Sequence, residues 1–154
     1  MLSPDPRVRE WGREDIPGVL EAMARYCEEV TEPFVLAQRQ RALEELLKSP
    51  HSATLVVVSQ DAVIRGYGVA GYGFSMEFAG RDAFLDELYL DRPLRGGGLG
   101  RALIARLEHA AIRQGAGAMH LEVLRRNDAL LHHYETLGYQ SRERYHLMSK
   151  LLSQ

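Results

Sequence analysis

The stretch RPLRGGGLGRAL, from Arg92 to Leu103, places three consecutive glycines and then Gly100 immediately before a run with helical spacing. Apolar residues recur every four positions after the glycines and predict one face of a helix that reaches about residue 114: Leu99, Leu103, Leu107 and Ala111. The apolar segment DAFLDELYL before the stretch predicts a strand. A glycine-rich turn between a strand and a helix leaves backbone N–H groups unobstructed at the positive end of the helix, which favours phosphate binding. A turn that is merely flexible is the alternative.

Two common phosphate-binding motifs do not fit this stretch. A nucleotide P-loop ends in Gly-Lys-Ser/Thr, whereas Gly100 is followed by Arg101 and Ala102. A dinucleotide fingerprint, GxGxxG, that started at Gly96 and Gly98 would need its third glycine where Arg101 stands. The sequence therefore argues against ATP and NAD as ligands, and a nucleotide-binding module is kept only as an alternative.

The rest of the chain alternates between helical and strand-like patterns. The order of the predicted elements is β, α, α, β, β, β, α, β, α, β. Their approximate ranges are 7–11, 15–32, 35–48, 53–60, 62–76, 82–90, 99–114, 118–124, 127–137 and 144–152. The strand, glycine turn, helix and strand in the middle of this order predict a right-handed crossover in a mixed α/β sheet.

The glycine stretch is one of three motifs that follow each other along the chain. Arg95 to Gly100 has the form (Gln/Arg)-x-x-Gly-x-Gly. In the segment HLEVLRRNDALLHHYETLGY, Asn127 and Tyr134 are seven residues apart and precede a Gly-Tyr pair, and the segment YHLMSKLL follows. These motifs, over residues 84 to about 151, resemble the GNAT superfamily of N-acyltransferases, in which the glycine motif binds acetyl-CoA.

The resemblance implies an α/β (α+β) fold with a GNAT-like mixed, mostly antiparallel central sheet of six to seven strands, flanked by about four helices. The chain of 154 residues has a suitable length for one domain, so we expect a single N-acetyltransferase domain over residues 1–154. Acetyl-CoA is the implied co-substrate. No metal is expected, because His132 and His133 have no companion ligands at metal-binding spacing.

The glycine turn and the strand before it are the predicted coenzyme site. Backbone N–H groups from Gly96 to Arg101 are expected to bind the pyrophosphate, with charge-assisted hydrogen bonds from Arg95 and Arg101. In the family, the backbone of the preceding strand pairs with the pantetheine amides. The predicted coenzyme-binding residues are therefore Leu88, Tyr89, Leu90, Arg95, Gly96, Gly97, Gly98, Leu99, Gly100, Arg101 and Asn127.

Direct attack of an amine on a thioester needs a base, because an amine with a pKa of about 10.4 is almost wholly protonated at pH 7. The sequence LDEL offers two candidates, Asp86 and Glu87. Neighbours in a strand face opposite sides, so only one of them is expected to face the site unless a bulge intervenes. Similarity to polyamine acetyltransferases favours Asp86; Glu87 and a chain of water molecules are the alternatives.

Tyr134 resembles the family's general acid, which assists the leaving thiolate. A tyrosine that only packs against its own helix is the alternative. Asn127 is expected to cap that helix, to contact coenzyme A, or to do both.

Composition and charge limit the partners. The net charge of −2 comes from 19 basic and 21 acidic residues, which argues against nucleic acid. No apolar run is long enough to span a membrane, and the one cysteine, Cys27, is expected in the core. We therefore expect a cytoplasmic protein that binds neither membrane nor nucleic acid; a homodimer is left open.

The acceptor is expected to be a small-molecule amine such as a polyamine or an amino acid. The acidic segment RYCEEVTEPF could attract a cationic amine, or it could simply be solvated surface. Two other functions stay open: acetylation of a peptide or protein amine, and a regulator that binds coenzyme A without turnover.

Overall fold

The computed structural model describes residues 4–152 of the chain. It divides into two compact units, one that ends at Leu121 and one that begins at Glu122. The first unit contains strands β1 to β5 and helices α1 to α3: β1 (Val8–Glu10), α1 (Ile16–Val30), α2 (Leu36–Lys48), β2 (Ala53–Gln60), β3 (Val63–Ser75), β4 (Gly80–Leu90), α3 (Leu99–Arg113) and β5 (Ala116–Leu121). The second unit contains helix α4, Asp128–Thr136.

The five strands of the first unit form one sheet in the order β1-β2-β3-β4-β5. The pairings from β1 to β4 are antiparallel, and β4 pairs with β5 in parallel. Helix α3 connects the two parallel strands, as the crossover prediction requires. The prediction of a mixed, mostly antiparallel sheet and of four helices is confirmed.

The prediction of six to seven strands is wrong, because the described residues form five. The segment expected as a last strand, residues 144–152, has no strand structure, and its apolar side chains are exposed. The physical reason lies in pairing. Within residues 4–152, no strand pairs with this segment, and strand formation depends on a partner edge.

The core of the first unit lies on both faces of the sheet. On one face, Val19 and Met23 of α1 pack with Tyr67 of β3 in a buried cluster. On the other face, α3 approaches the sheet closely at Gly68, where a Cβ atom would lie 2.6 Å from Leu107 Cδ1. Cys27 is buried in the core, as predicted.

Within residues 4–152, none of the helices combines the length and the apolar character that crossing a membrane requires. The same part of the chain has no group of three or more His, Cys, Asp or Glu side chains arranged to hold a metal ion.

Candidate active site

The end of β4 extends beyond its parallel neighbour. The last pair between the two strands is Leu85 with Leu121, whereas β4 continues to Leu90. Within the described residues, no strand pairs with residues 86–90 on the β5 side. The backbone of Leu88, Tyr89 and Leu90 therefore lies along an open strand edge, which is the kind of surface that hydrogen-bonds an extended ligand.

The glycine turn presents unpaired N–H groups at the start of α3. Gly98 is the N-terminal cap of the helix and has φ +88°, and Gly96 has φ +82°. Within residues 4–152, no backbone carbonyl accepts a hydrogen bond from the N–H groups of residues 96–101, which include the first donors of α3. A Cβ atom on Gly97 or Gly100 would meet no atom within 4 Å, so the turn borders open space. These donors and the helix dipole make the turn suited to a phosphate group.

The two arginines predicted beside this turn have different surroundings. Arg101 is exposed. Arg95 is held by Glu29 of α1 through hydrogen bonds of 2.8 Å from Nη1 and 2.7 Å from Nη2, and its Nε donates to the carbonyl oxygen of Leu90 at 2.7 Å. These hydrogen bonds from Arg95 lower the pKa of the Glu29 carboxyl.

A β-bulge in β4 places both candidate bases in one cavity. Val69 of β3 lies opposite Glu87 and Ala70 lies opposite Leu85, so Asp86 is the extra residue. Asp86 and Glu87 both line a cavity of about 520 Å³ between the sheet, α1 and α2. The expectation that only one of them faces the site made an exception for a bulge, and β4 contains that bulge.

The carboxylate of Glu87 already has two hydrogen-bond donors. Tyr67 Oη donates to Oε1 at 2.8 Å and Arg39 Nη1 donates to Oε2 at 2.5 Å. Burial and the nearby Glu87 raise the pKa of Tyr67, and they raise that of Tyr26 to about 12, so both phenols remain protonated at neutral pH. A proton taken up by Glu87 would weaken its contact with Arg39. Asp86 is exposed.

The cavity combines apolar walls with an excess of acidic side chains. Its charged lining residues are Arg39, Glu45, Asp86 and Glu87. The sequence analysis missed Arg39 and Tyr67, since only the folded chain brings them to Glu87. The acidic residues that it proposed for the acceptor, Glu28, Glu29 and Glu32, are not among those that line this cavity.

The other predicted site residues belong to the second unit. Asn127 caps α4, because its Oδ1 accepts a hydrogen bond from the N–H of Leu130 at 3.1 Å. Tyr134 is 6% exposed, and its ring lies 5.6 Å from that of Tyr139 in an edge-to-face arrangement. Burial raises the pKa of Tyr134, so its hydroxyl is protonated at neutral pH. The cap is confirmed, and the catalytic role of Tyr134 stays a prediction.

Comparison with known proteins finds a family model that matches most of this chain. The model for the Acetyltransferase (GNAT) family matches residues 19–139, which include the open strand edge, the glycine turn and Tyr134. A thialysine N-epsilon-acetyltransferase of Mus musculus is 25% identical over 147 residues, covering 87% of this chain and 84% of that protein. The same enzyme of Bos taurus is 27% identical over 140 residues, covering 83% and 82%.

Solved structures share the fold. An integron cassette protein from the mobile metagenome of Cole Harbour Salt Marsh has a TM-score of 0.86 at 24% identity, covering 99% of this chain and 95% of that chain. Glucosamine-6-phosphate N-acetyltransferase from Arabidopsis thaliana has a TM-score of 0.74 at 19% identity, covering 95% and 97%.

Proposed function

The chain belongs to the acetyltransferase (GNAT) family, and we propose that it transfers an acetyl group from acetyl-CoA to an amine of a small molecule by direct attack in a ternary complex. One observation carries this proposal: the open end of β4 leads from the cavity that contains Asp86 directly to the glycine turn. A thioester bound along that edge would place its acetyl group beside a carboxylate and its phosphates beside unpaired N–H groups.

Backbone groups, more than side chains, would bind the coenzyme. We assign the pyrophosphate to the N–H groups of residues 96–101, with Arg101 as an additional donor. The pantetheine arm would pair with the backbone of Leu88, Tyr89 and Leu90. Asn127, which caps α4, is kept as a further contact. The family match crosses the boundary at Leu121, which supports one acetyltransferase domain made of both units.

Asp86 is the proposed base and Tyr134 the proposed acid. Asp86 is exposed and lines the acceptor cavity, where similarity to polyamine acetyltransferases favours it as the base. The carboxylate of Glu87 accepts hydrogen bonds from Arg39 and Tyr67. Asp86 would take a proton from the ammonium group of the acceptor, either directly or through a water molecule, and the neutral amine would then attack the thioester. The protonated hydroxyl of Tyr134 would stabilise the charge that develops on the leaving sulfur.

The acceptor cavity favours a cationic amine with an aliphatic part. Its acidic residues outnumber its one arginine, and most of the remaining lining is apolar, including Met23, Leu43 and Val69. The thialysine acetyltransferases named above support an aliphatic primary amine as the substrate class.

This function is tested by turnover of acetyl-CoA with a panel of amines, measured as the release of free thiol. We expect turnover with polyamines or with amino acids that carry a side-chain amine. Binding of acetyl-CoA without turnover on any amine would instead indicate a regulator, and turnover on peptide amines alone would move the acceptor to proteins. Calorimetry that showed a preference for ATP or NAD would contradict the proposal.

Replacement of Tyr134 by phenylalanine is expected to lower kcat by roughly 10- to 10³-fold, within or just below the usual range for a lost acid–base group. The dissociation constant for acetyl-CoA should change little, because the ring and its contact with Tyr139 remain. Steady-state kinetics and calorimetry on the same preparation measure both quantities. An unchanged kcat would leave Tyr134 as a packing residue only.

A further inference from the structure

Helix α1 is tied to the segment between β4 and α3 by two ion pairs of opposite polarity. Arg25 and Glu29 are four residues apart and therefore lie on one face of α1. Their partners are also four residues apart: Arg25 Nε donates to Asp91 Oδ1 at 3.0 Å, and Arg95 donates to Glu29 at 2.7 Å. We call these four residues the double clamp.

The Arg95 half of the double clamp has a defined geometry. All three nitrogens of the guanidinium donate hydrogen bonds, two of them to the carboxylate of Glu29 and one to the Leu90 carbonyl. The guanidinium also lies over the ring of Tyr89, 5.8 Å from its centroid. A bidentate pair with this support holds its geometry better than an ordinary surface ion pair.

The Asp91 half fixes the start of the same segment. The Asp91 side chain is 13% exposed and also lies 3.6 Å from Arg65 Nη1. Its N–H donates to the carbonyl oxygen of Arg65 at 2.8 Å. The segment from residue 91 to residue 95 is therefore held to α1 at both of its ends. The glycine turn begins at the next residue, Gly96.

We infer that Glu29 is a positioning residue for the coenzyme: it holds Arg95, and through Arg95 it fixes the conformation in which the glycine turn binds the pyrophosphate. The inference rests on the proposed function. It differs from the role that the sequence suggested for Arg95, since the guanidinium is directed at α1. The cost of ordering the turn is met before the ligand arrives, which increases affinity.

Removal of the Glu29 carboxylate would change the affinity for acetyl-CoA in opposite directions under the two possible roles of Arg95. If Arg95 contacted the phosphates directly, the carboxylate of Glu29 would compete with the ligand, and removing it would tighten acetyl-CoA binding. If Glu29 positions the turn, removing it weakens binding. Acetyl-pantetheine, which lacks the phosphates, should be affected in neither case.

The test compares Glu29→Ala with Glu28→Ala, which removes the same charge from the next residue of α1. We expect Glu29→Ala to weaken acetyl-CoA binding by roughly 3- to 10-fold, as for the loss of charge-assisted hydrogen bonds. The affinity for acetyl-pantetheine and the affinities of Glu28→Ala should remain near those of the unaltered chain. Calorimetry gives the affinities, and thermal unfolding shows that each variant is folded.

A charge swap gives a second, independent readout. Glu29→Arg and Arg95→Glu should each weaken acetyl-CoA binding, and the double variant should recover most of the loss, because the pair is restored with reversed polarity. Tighter or unchanged binding in Glu29→Ala, or no recovery in the double variant, would overturn the inference while the proposed function stood. An unaltered chain that did not bind acetyl-CoA would overturn both.

Discussion

Replacement of Asp86 by asparagine is expected to lower kcat by roughly 10²- to 10⁴-fold near neutral pH, the range for a lost acid–base group. Asparagine has nearly the same shape as aspartate but does not take a proton from the acceptor. The defect should shrink as the pH rises towards the pKa of the amine, about 10.4, because the amine then loses its proton unaided. A pH–rate profile with one amine measures both effects.

Glu87→Gln is the matched control for this prediction. It also neutralises a carboxylate that lines the cavity, but it removes the partner of Arg39 rather than the proposed base. Its defect should therefore be smaller and should not recover at high pH. A defect that recovers at high pH in Glu87→Gln and not in Asp86→Asn would assign the base to Glu87. No such defect in either variant would indicate a base carried by water.

The elements with clear periodicity were predictable from the sequence. The spacing of Val19, Met23 and Cys27 predicts α1, and all three are buried. The β-branched run at residues 53–60 is β2. The last predicted strand fails because strand formation depends on a partner edge, and composition alone does not supply one.

The site was predictable where it depends on local backbone and not where it depends on pairing. The glycine turn, with φ +88° at Gly98, follows from residue type, since glycine adopts this conformation at little cost. The bulge at Asp86 does not, because the register of β4 is set jointly with β3. Glu87 and Arg39 are 48 positions apart, and Arg95 and Glu29 are 66 positions apart. No local sequence pattern predicts contacts at such separations.

Replacement of Gly98 by valine is expected to weaken acetyl-CoA binding by about 100-fold or more, which corresponds to roughly 2.7 kcal/mol. Two effects combine. A β-branched residue is strained at φ +88°, so the turn changes conformation and its N–H groups no longer converge. In addition, a side chain there would occupy the space next to the pyrophosphate. The core of the unit does not include Gly98, so the fold should persist.

Two further glycines separate these effects. Gly115, at the other end of α3, has φ +83° and open space around it, so Gly115→Val imposes similar strain away from the turn and should leave acetyl-CoA binding unchanged. Gly100 does not have a positive φ, and its Cβ would meet nothing in the protein. Gly100→Val should therefore weaken binding only through a clash with the ligand. Unchanged affinity in both Gly98→Val and Gly100→Val, measured by calorimetry, would show that the coenzyme phosphates bind elsewhere.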